Sequence, residues 1–365
     1  MPVSPSLYAA VQVIAAQAQE GWESAMKRIL LSAVFGFGIV LGSPAFAEDV
    51  VTLYAADGLH DGKPNWAQTQ FDEFTKQTGI KVQYVEAGSG GVVERVAKEA
   101  TNPQADVLVT LPPFIMKAAA DGLLQPYTPA GSDQIDPAQK DKGGMFVPLC
   151  YNYMNFIYNA SLGEPPKTFE DMLNPKFKSK LQYSTPGQAG DGTAVMIQVI
   201  HAYGSKEKGF EYFKKLQANN VGPSSSTGKL TALVNKGELF VANGDMQMNV
   251  NQMKTNPNVR IFWPAGPDGK RSTFALPYYM GLVKGAPHAD AGKKLIDFLL
   301  SKGPQSTLSS MANGLPVRKD VNPTDDAYKQ FHKLMEGVTV WTPDWNKVLA
   351  ELKDDAAKWR EVTGN

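Results

Sequence analysis

From Glu48 onward the chain alternates short β-rich runs with amphipathic ones, in two series separated by a polar break. That alternation is the pattern of layered α/β folds. The first series reads "VVTLYAAD" (Val50 to Asp57) as a strand, "NWAQTQFDEFTKQTG" as a helix stopped by Gly79, "IKVQYVEA" as a second strand, "GGVVERVAKEA" as a helix and "ADVLVTL" as a third strand. Successive strand-helix-strand units with right-handed crossovers build a parallel sheet, and ligands of such sheets sit beyond the carboxyl ends of the strands. Asp57 to His60, Gly88 to Gly91 and Thr110 to Pro113 are therefore expected along one rim. The stretch "TPAGSDQIDPAQKDKGG" resets the pattern. A long apolar strand candidate, "MFVPLCYNYMNFIYN", then leads to "LQYSTP", "GDGTAVMIQVIHAYG", "ELFVANGD" and "MQMNVNQMKTNP", and "STFALPYYMGLVKGAPH" carries the chain back. Two crossing segments predict two lobes with a cleft between them, each lobe a mostly parallel sheet flanked by helices. Residues 48–147 and 277–325 are expected in lobe one, and residues 148–276 and 326–365 in lobe two.

The start of the chain predicts where it acts. "MKRILLSAVFGFGIVLGSPAFA" (Met26 to Ala47) has Lys27 and Arg28, an apolar stretch from Ile29 to Leu41 and then Ala45-Phe46-Ala47, the layout of an export signal cleaved after Ala47. The apolar stretch is short for a bilayer span and ends in Gly-Ser-Pro. Residues 1–25 precede a complete signal and read as a start codon placed too early. No Cys follows the cleavage point for lipid attachment, so a periplasmic location is expected. With 36 Lys and Arg against 36 Asp and Glu, nothing electrostatic points to nucleic acid or a membrane surface. Cys150, the one cysteine, has no partner for an internal disulfide and stands in "FVPLCYNYMNF", a setting for a buried apolar residue.

The glycine-rich loops carry the chemistry. "GPSSSTGKLT" (Gly222 to Thr231) comes near a nucleotide phosphate loop, but five residues separate its glycines and Leu230 follows Lys229, where the motif requires four residues and then Ser or Thr. No dinucleotide fingerprint opens a strand-helix-strand unit. A helix N-terminus, with unpaired N–H groups and about half a positive charge, binds a smaller anion without Arg or Lys. "AGSGGVVERV" supplies one such terminus with Ser89, Gly90 and Gly91, and "QAGDGTAVM" a second with Gly190, Gly192 and Thr193. Ser225, Ser226 and Thr227 precede "KLTALVNKG" and form a third. A tight turn with an ordinary cap explains any one loop equally well. Three in a two-lobed chain point to a shared anion site.

The late segment "GKKLIDFLLSKGPQSTLSSMANGLPVRKDV" resembles type II periplasmic solute-binding proteins that serve ABC importers. Within that superfamily, "LYAADGLHDG", "GSGGVVERVAKEATNPQADVLVTLPPF", "KLQYSTPGQAGDGTAVM", "LQANNVGPSSSTGKLTALVNKGE" and "VANGDMQMN" resemble the 2-aminoethylphosphonate-binding proteins, and the resemblance covers essentially all of residues 48–365. It implies a monomeric receptor without cofactor or metal, delivering 2-aminoethylphosphonate to an inner-membrane ABC permease. Ser89, Gly90, Gly91, Gly192, Thr193, Ser226 and Thr227 are then expected to hold the phosphonate. An ammonium in a closed cleft needs a carboxylate, which Asp57 and Asp245 are placed to supply. His60, Tyr151 and Tyr278 are expected on the cleft wall, whereas Asp191 is read as capping its own helix and Asp57 also suits a turn before Gly58.

Ferric-ion-binding cousins have a histidine where His60 stands, but the stretches that should bring their glutamate and tyrosine pair read "TLPPF" and "NGDMQMN" here. Iron, other small anions and polyamines remain alternative solutes of the same superfamily. A phosphonate hydrolase, the enzyme alternative, needs a metal cluster or a nucleophile beside a base. Neither a Ser-His-Asp nor an HExxH arrangement is visible, and His201, His288 and His332 show no ligand spacing.

Overall fold

The computed structural model describes residues 49–60 and 65–365, so the expected export signal and the residues before it lie outside the described residues. Val50–Ala56 (β1) is buried from Val51 to Ala56, as a strand covered on both faces must be. Trp66–Thr78 (α1) begins where Asn65 accepts a hydrogen bond from Gln68 N at 2.9 Å and ends at Gly79, whose φ of 77° provides a left-handed cap. Its apolar stripe buries Trp66, Phe71 and Phe74. Lys81–Ala87 (β2), Ser89–Lys98 (α2), Val107–Thr110 (β3), Phe114–Ala120 (α3) and Leu124–Gln125 (β4) follow. β1 lies between β2 and β3 and runs parallel to both. The rim expected at the carboxyl ends of these strands is therefore formed by Asp57, Gly88 and Leu111.

The apolar stretch read as one long strand is two. Val147–Cys150 (β5) stays in the first sheet, whereas Met154–Asn159 (β6) is the middle strand of a second one. Between them Asn152 Oδ1 accepts hydrogen bonds from Tyr153 N at 2.9 Å and Gln247 N at 2.8 Å. A side chain thus takes amides that a continuous ladder would have used. The second series gives Gly190–Tyr203 (α4), Lys206–Leu216 (α5), Gly228–Lys236 (α6), Val241–Asp245 (β7), Met246–Met253 (α7), Val259–Phe262 (β8) and Arg271–Phe274 (β9). Both ladders of the second sheet, β6 with β7 and β6 with β8, are antiparallel, so the mostly parallel sheet expected for this lobe is corrected. Parallel pairing enters through the bridge of Leu181 to Val241. Periodicity reports burial along a strand and is silent about its direction.

Tyr278–Val283 (β10) returns to the first sheet and is antiparallel to β3, β4 and β5. On the way back Tyr153 bridges Ala275, and Leu276 N donates to Asn152 O at 2.8 Å. The two crossing segments are thereby hydrogen-bonded to each other where they pass between the lobes. Ala289–Leu300 (α8), Lys302–Thr307 (α9) and Asp326–Leu334 (α10) precede Val338–Trp341 (β11), which runs parallel to β9, and Trp345–Thr363 (α11) ends the chain. α11 is held to the second lobe by Trp359 Nε1 on Tyr183 Oη at 2.9 Å and by Lys206 between Asp355 and Glu351 at 2.6 and 2.8 Å. Among the described residues no helix is long and apolar enough to cross a membrane.

Candidate functional site

β1 ends at Asp57, and its half-buried carboxylate reaches across to the second lobe. Asp57 Oδ2 accepts from Ser226 Oγ at 2.7 Å and from Gly228 N at 3.3 Å. Gly228 is the first residue of α6, so this carboxylate occupies a helix N-terminus, where unpaired N–H groups favour negative charge. Asp245, the last residue of β7, caps α7 by accepting from Met248 N at 2.8 Å. Tyr278 Oη lies 3.2 Å from Asp245 Oδ2 and 3.0 Å from Asp57 O, and donates to one of them at a time. Gly58 completes the fit. Its φ of +100° suits glycine, and a Cβ there would stand 2.6 Å from the Tyr278 hydroxyl.

A third carboxylate joins these two. Asp191 is the second residue of α4, yet it does not cap that helix: Ala189 stands at the cap position, no side chain bonds there, and Asp191 Oδ1 is buried with no hydrogen-bond partner. The capping role expected for Asp191 is therefore corrected. Burial pushes its carboxyl well above the usual range, and the charges of Asp245 and Asp57 push it further, against the neighbouring Thr227 hydroxyl, which pulls the other way. Asp245 is pushed up to about 6, chiefly by burial and in part by the charge of Asp57, against hydrogen bonds from Met248 N–H and Tyr278 and the nearby Asn152 amide, which favour its charged form. The ion pairs formed among the described residues leave all three carboxylates out. Beneath them Thr227 Oγ1 donates to Ser184 Oγ at 2.9 Å, and Asn243 holds Ser184 through its amide at 2.8 and 3.0 Å.

The glycines hold a neighbouring lobe. A Cβ on Gly88 would meet Ser225 O at 2.6 Å, and one on Gly90 would meet Gln188 O at 2.7 Å. Gly90 N donates to that Gln188 carbonyl at 3.0 Å, so an amide expected for the phosphonate already has a partner. Ser89 is buried, its carbonyl accepting from Thr110 Oγ1 at 3.0 Å, and its Oγ lies 2.7 Å from where a Cβ on Gly190 would stand. Gly91 is exposed and faces only its own lobe, while Gly192 packs on the Ser184 carbonyl, 2.3 Å from a Cβ position. Thr193 Oγ1 accepts from Gly187 N at 2.9 Å and donates to Ala189 O at 3.1 Å, so its hydroxyl closes its own turn.

Asp57, Asp245, Tyr278, Ser226 and Thr227 are thus brought together; Gly91, Gly192 and Thr193 face other groups. His60 stacks on Tyr84 with centroids 4.7 Å apart and contacts Gln68 Oε1 at 3.2 Å, on the α1 side of β2. Tyr151 pairs through its backbone with Leu315, and its buried hydroxyl faces the Tyr279 and Asp136 side of the crossing segment. Asp191, Ser184 and the Gly228 amide are additions beyond the residues anticipated from sequence. Among the described residues no group of three or more His, Cys, Asp or Glu is arranged to hold a metal ion.

Two α/β lobes joined by two crossing segments, with polar loops of both meeting over carboxylates, define a receptor of the type II periplasmic-binding-protein class. The chain belongs to the family of bacterial extracellular solute-binding proteins, which it matches over residues 59–306. A protein of Salmonella paratyphi A named "Putative 2-aminoethylphosphonate-binding periplasmic protein" is 56% identical over 339 residues, covering 93% of this chain and 98% of that one. The fold is also that of the periplasmic binding protein AfuA of Actinobacillus pleuropneumoniae, solved with fructose-6-phosphate bound, with a TM-score of 0.71 at 21% identity over 87% of this chain and 99% of that one. A ferric binding protein from Campylobacter jejuni has a TM-score of 0.68 at 20% identity, covering 86% and 99%.

Proposed function

We propose that this protein captures 2-aminoethylphosphonate in the periplasm and passes it to an inner-membrane ABC permease, acting as a monomer that binds its solute without turning it over. The observation that carries this reading is the meeting of Asp57, Asp191 and Asp245, with no ion pair to a cation among the described residues, beside the N-terminus of α6. Such a site wants a positive group against the carboxylates and a negative one against the helix end. An aminophosphonate carries both. Its phosphonate would take the hydrogen bonds of Ser226 Oγ and Gly228 N that Asp57 now accepts, with Thr227 and Ser89 beside it. Asp57, displaced from the helix end, would then turn with Asp245 to the ammonium. The name of the Salmonella relative, shared over nearly the whole of both chains, supports the same solute.

Lobe one is proposed to be residues 48–147 with 277–325, extended to Cys150 because β5 stays in the first sheet, and ligand favours the closed arrangement through its differential affinity for it. Export is proposed to follow cleavage after Ala47. Titration calorimetry of 2-aminoethylphosphonate, ethylphosphonate, inorganic phosphate, spermidine and ferric citrate tests the reading, with the bound solute recovered afterwards and identified by mass spectrometry. Strongest binding of 2-aminoethylphosphonate, recovered unchanged, is expected. Equal or tighter binding of ethylphosphonate, spermidine or ferric citrate overturns the solute assignment.

A further inference from the structure

We infer that Asp191 reads the amine of the solute, giving up its proton to solvent as the ammonium enters between its carboxylate and those of Asp57 and Asp245. The inference rests on the reading of the solute as an amine-bearing phosphonate. Asp191 is 4% exposed, and its Oδ1 is a buried acceptor with nothing to accept. Such an atom is costly unless it is protonated or matched by a donor. Asp57 and Asp245 already have donors on their oxygens, from Ser226, Gly228 and Met248, so Asp191 is the carboxylate with spare capacity. The groups that act on its charge come from three places: Asp57 at the end of β1, Asp245 between β7 and α7, and Thr227 before α6. The titratable groups among them are both acidic. Burial and those two carboxylates favour the protonated form of Asp191 while the site lacks a cation.

An arriving ammonium reverses that balance. It brings three N–H donors and a unit of positive charge, which favours the ionised form. The O–H bond of Asp191 breaks, its proton leaves to water, and the ammonium keeps all of its own. Donor-to-acceptor distances of about 2.7–2.9 Å suit three carboxylates gathered from separate elements. A divalent metal demands oxygens at about 2.0–2.6 Å, and no such group exists among the described residues.

Calorimetry of 2-aminoethylphosphonate at pH 7 in buffers of different ionisation enthalpy counts the protons. Wild type is expected to release about one proton per ligand. Asp191→Asn should abolish the release and weaken 2-aminoethylphosphonate about tenfold or more while leaving ethylphosphonate equal or tighter. Asp245→Asn, which alters the other raised carboxyl, should keep a release. Binding without proton exchange in wild type overturns the inference whether or not the variants fold. So does an Asp191→Asn protein with wild-type release and wild-type preference for the amine. Failure of wild type to bind 2-aminoethylphosphonate is a different result, which removes the solute reading and this inference with it.

Discussion

Asp57 and Asp245 occupy the ends of strands, and their roles separate by sign. Neutralising either to Asn is expected to weaken 2-aminoethylphosphonate by about 2 kcal/mol or more, because an enclosed cation loses a charged partner. Ethylphosphonate, lacking the amine, should bind equally or slightly more tightly, and parallel loss of both ligands in calorimetry would show that the carboxylates only shape the cleft. Asp245 also ties stability to pH. Its folded-state carboxyl titrates near 6, above an ordinary aspartate, so folding takes up a proton in that interval. The contribution is fully present below about pH 4 and is lost as pH rises through about 6, on the order of 3 kcal/mol in all. Ligand-free Asp245→Asn should therefore show a flatter melting temperature between about pH 4 and 6 than wild type. These two aspartates were legible in sequence because each follows a β-rich run. Asp191 was not, since an acid in the first turn of "GDGTAVM" has the same local signature whether it caps its helix or faces a ligand.

At the scale of elements, the first lobe is tied together by polar groups spent within its core. Gln305 of α9 is fully buried, donating to Leu149 O at 3.0 Å and Leu299 O at 3.1 Å and accepting from Val317 N at 2.9 Å. One side chain thereby satisfies β5, α8 and the loop after α9. Gln305→Ala leaves those backbone groups without partners and should lower unfolding free energy by about 2–3 kcal/mol, seen as an earlier urea midpoint with the slope unchanged. The helices themselves were readable: Asn65 and Gly79 bracket α1 as cap chemistry requires. The division of "MFVPLCYNYMNFIYN" into β5 and β6 was not, because its apolar run continues past the switch and only the engagement of Asn152 with Gln247, 95 residues away, interrupts the ladder.

At the scale of the molecule, the glycine loop before α2 is where the lobes touch, and closure is proposed to depend on it. The atoms nearest a Cβ on Gly88 are the Ser225 carbonyl at 2.6 Å and the Gln188 carbonyl at 4.0 Å, both of the other lobe, and its φ of −59° accommodates alanine. Gly88→Ala should therefore press its methyl on the Ser225 carbonyl and obstruct the contact between the lobes. Solute affinity is expected to fall about tenfold or more, and small-angle scattering should show compaction on adding 2-aminoethylphosphonate to wild type but not to the variant. An unchanged response in both measurements refutes the closure role. Mature protein from the cell envelope is expected to begin at Glu48, which N-terminal mass analysis checks; an intact Met1 or Met26 start in that fraction contradicts it. Two α/β series, two crossing segments and the loops that rim the cleft are all properties of local periodicity and turn chemistry, readable from neighbours a few residues apart. The direction of the second sheet, the lobe that Gly88 and Gly90 touch, and the unpaired oxygen of Asp191 depend on pairings such as Ser226 with Asp57 across 169 residues and Tyr278 with Asp57 across 221. Desolvation and proximity of charge are properties of the assembled cleft, so the chemistry of this site is decided by which distant segments the packed core brings together.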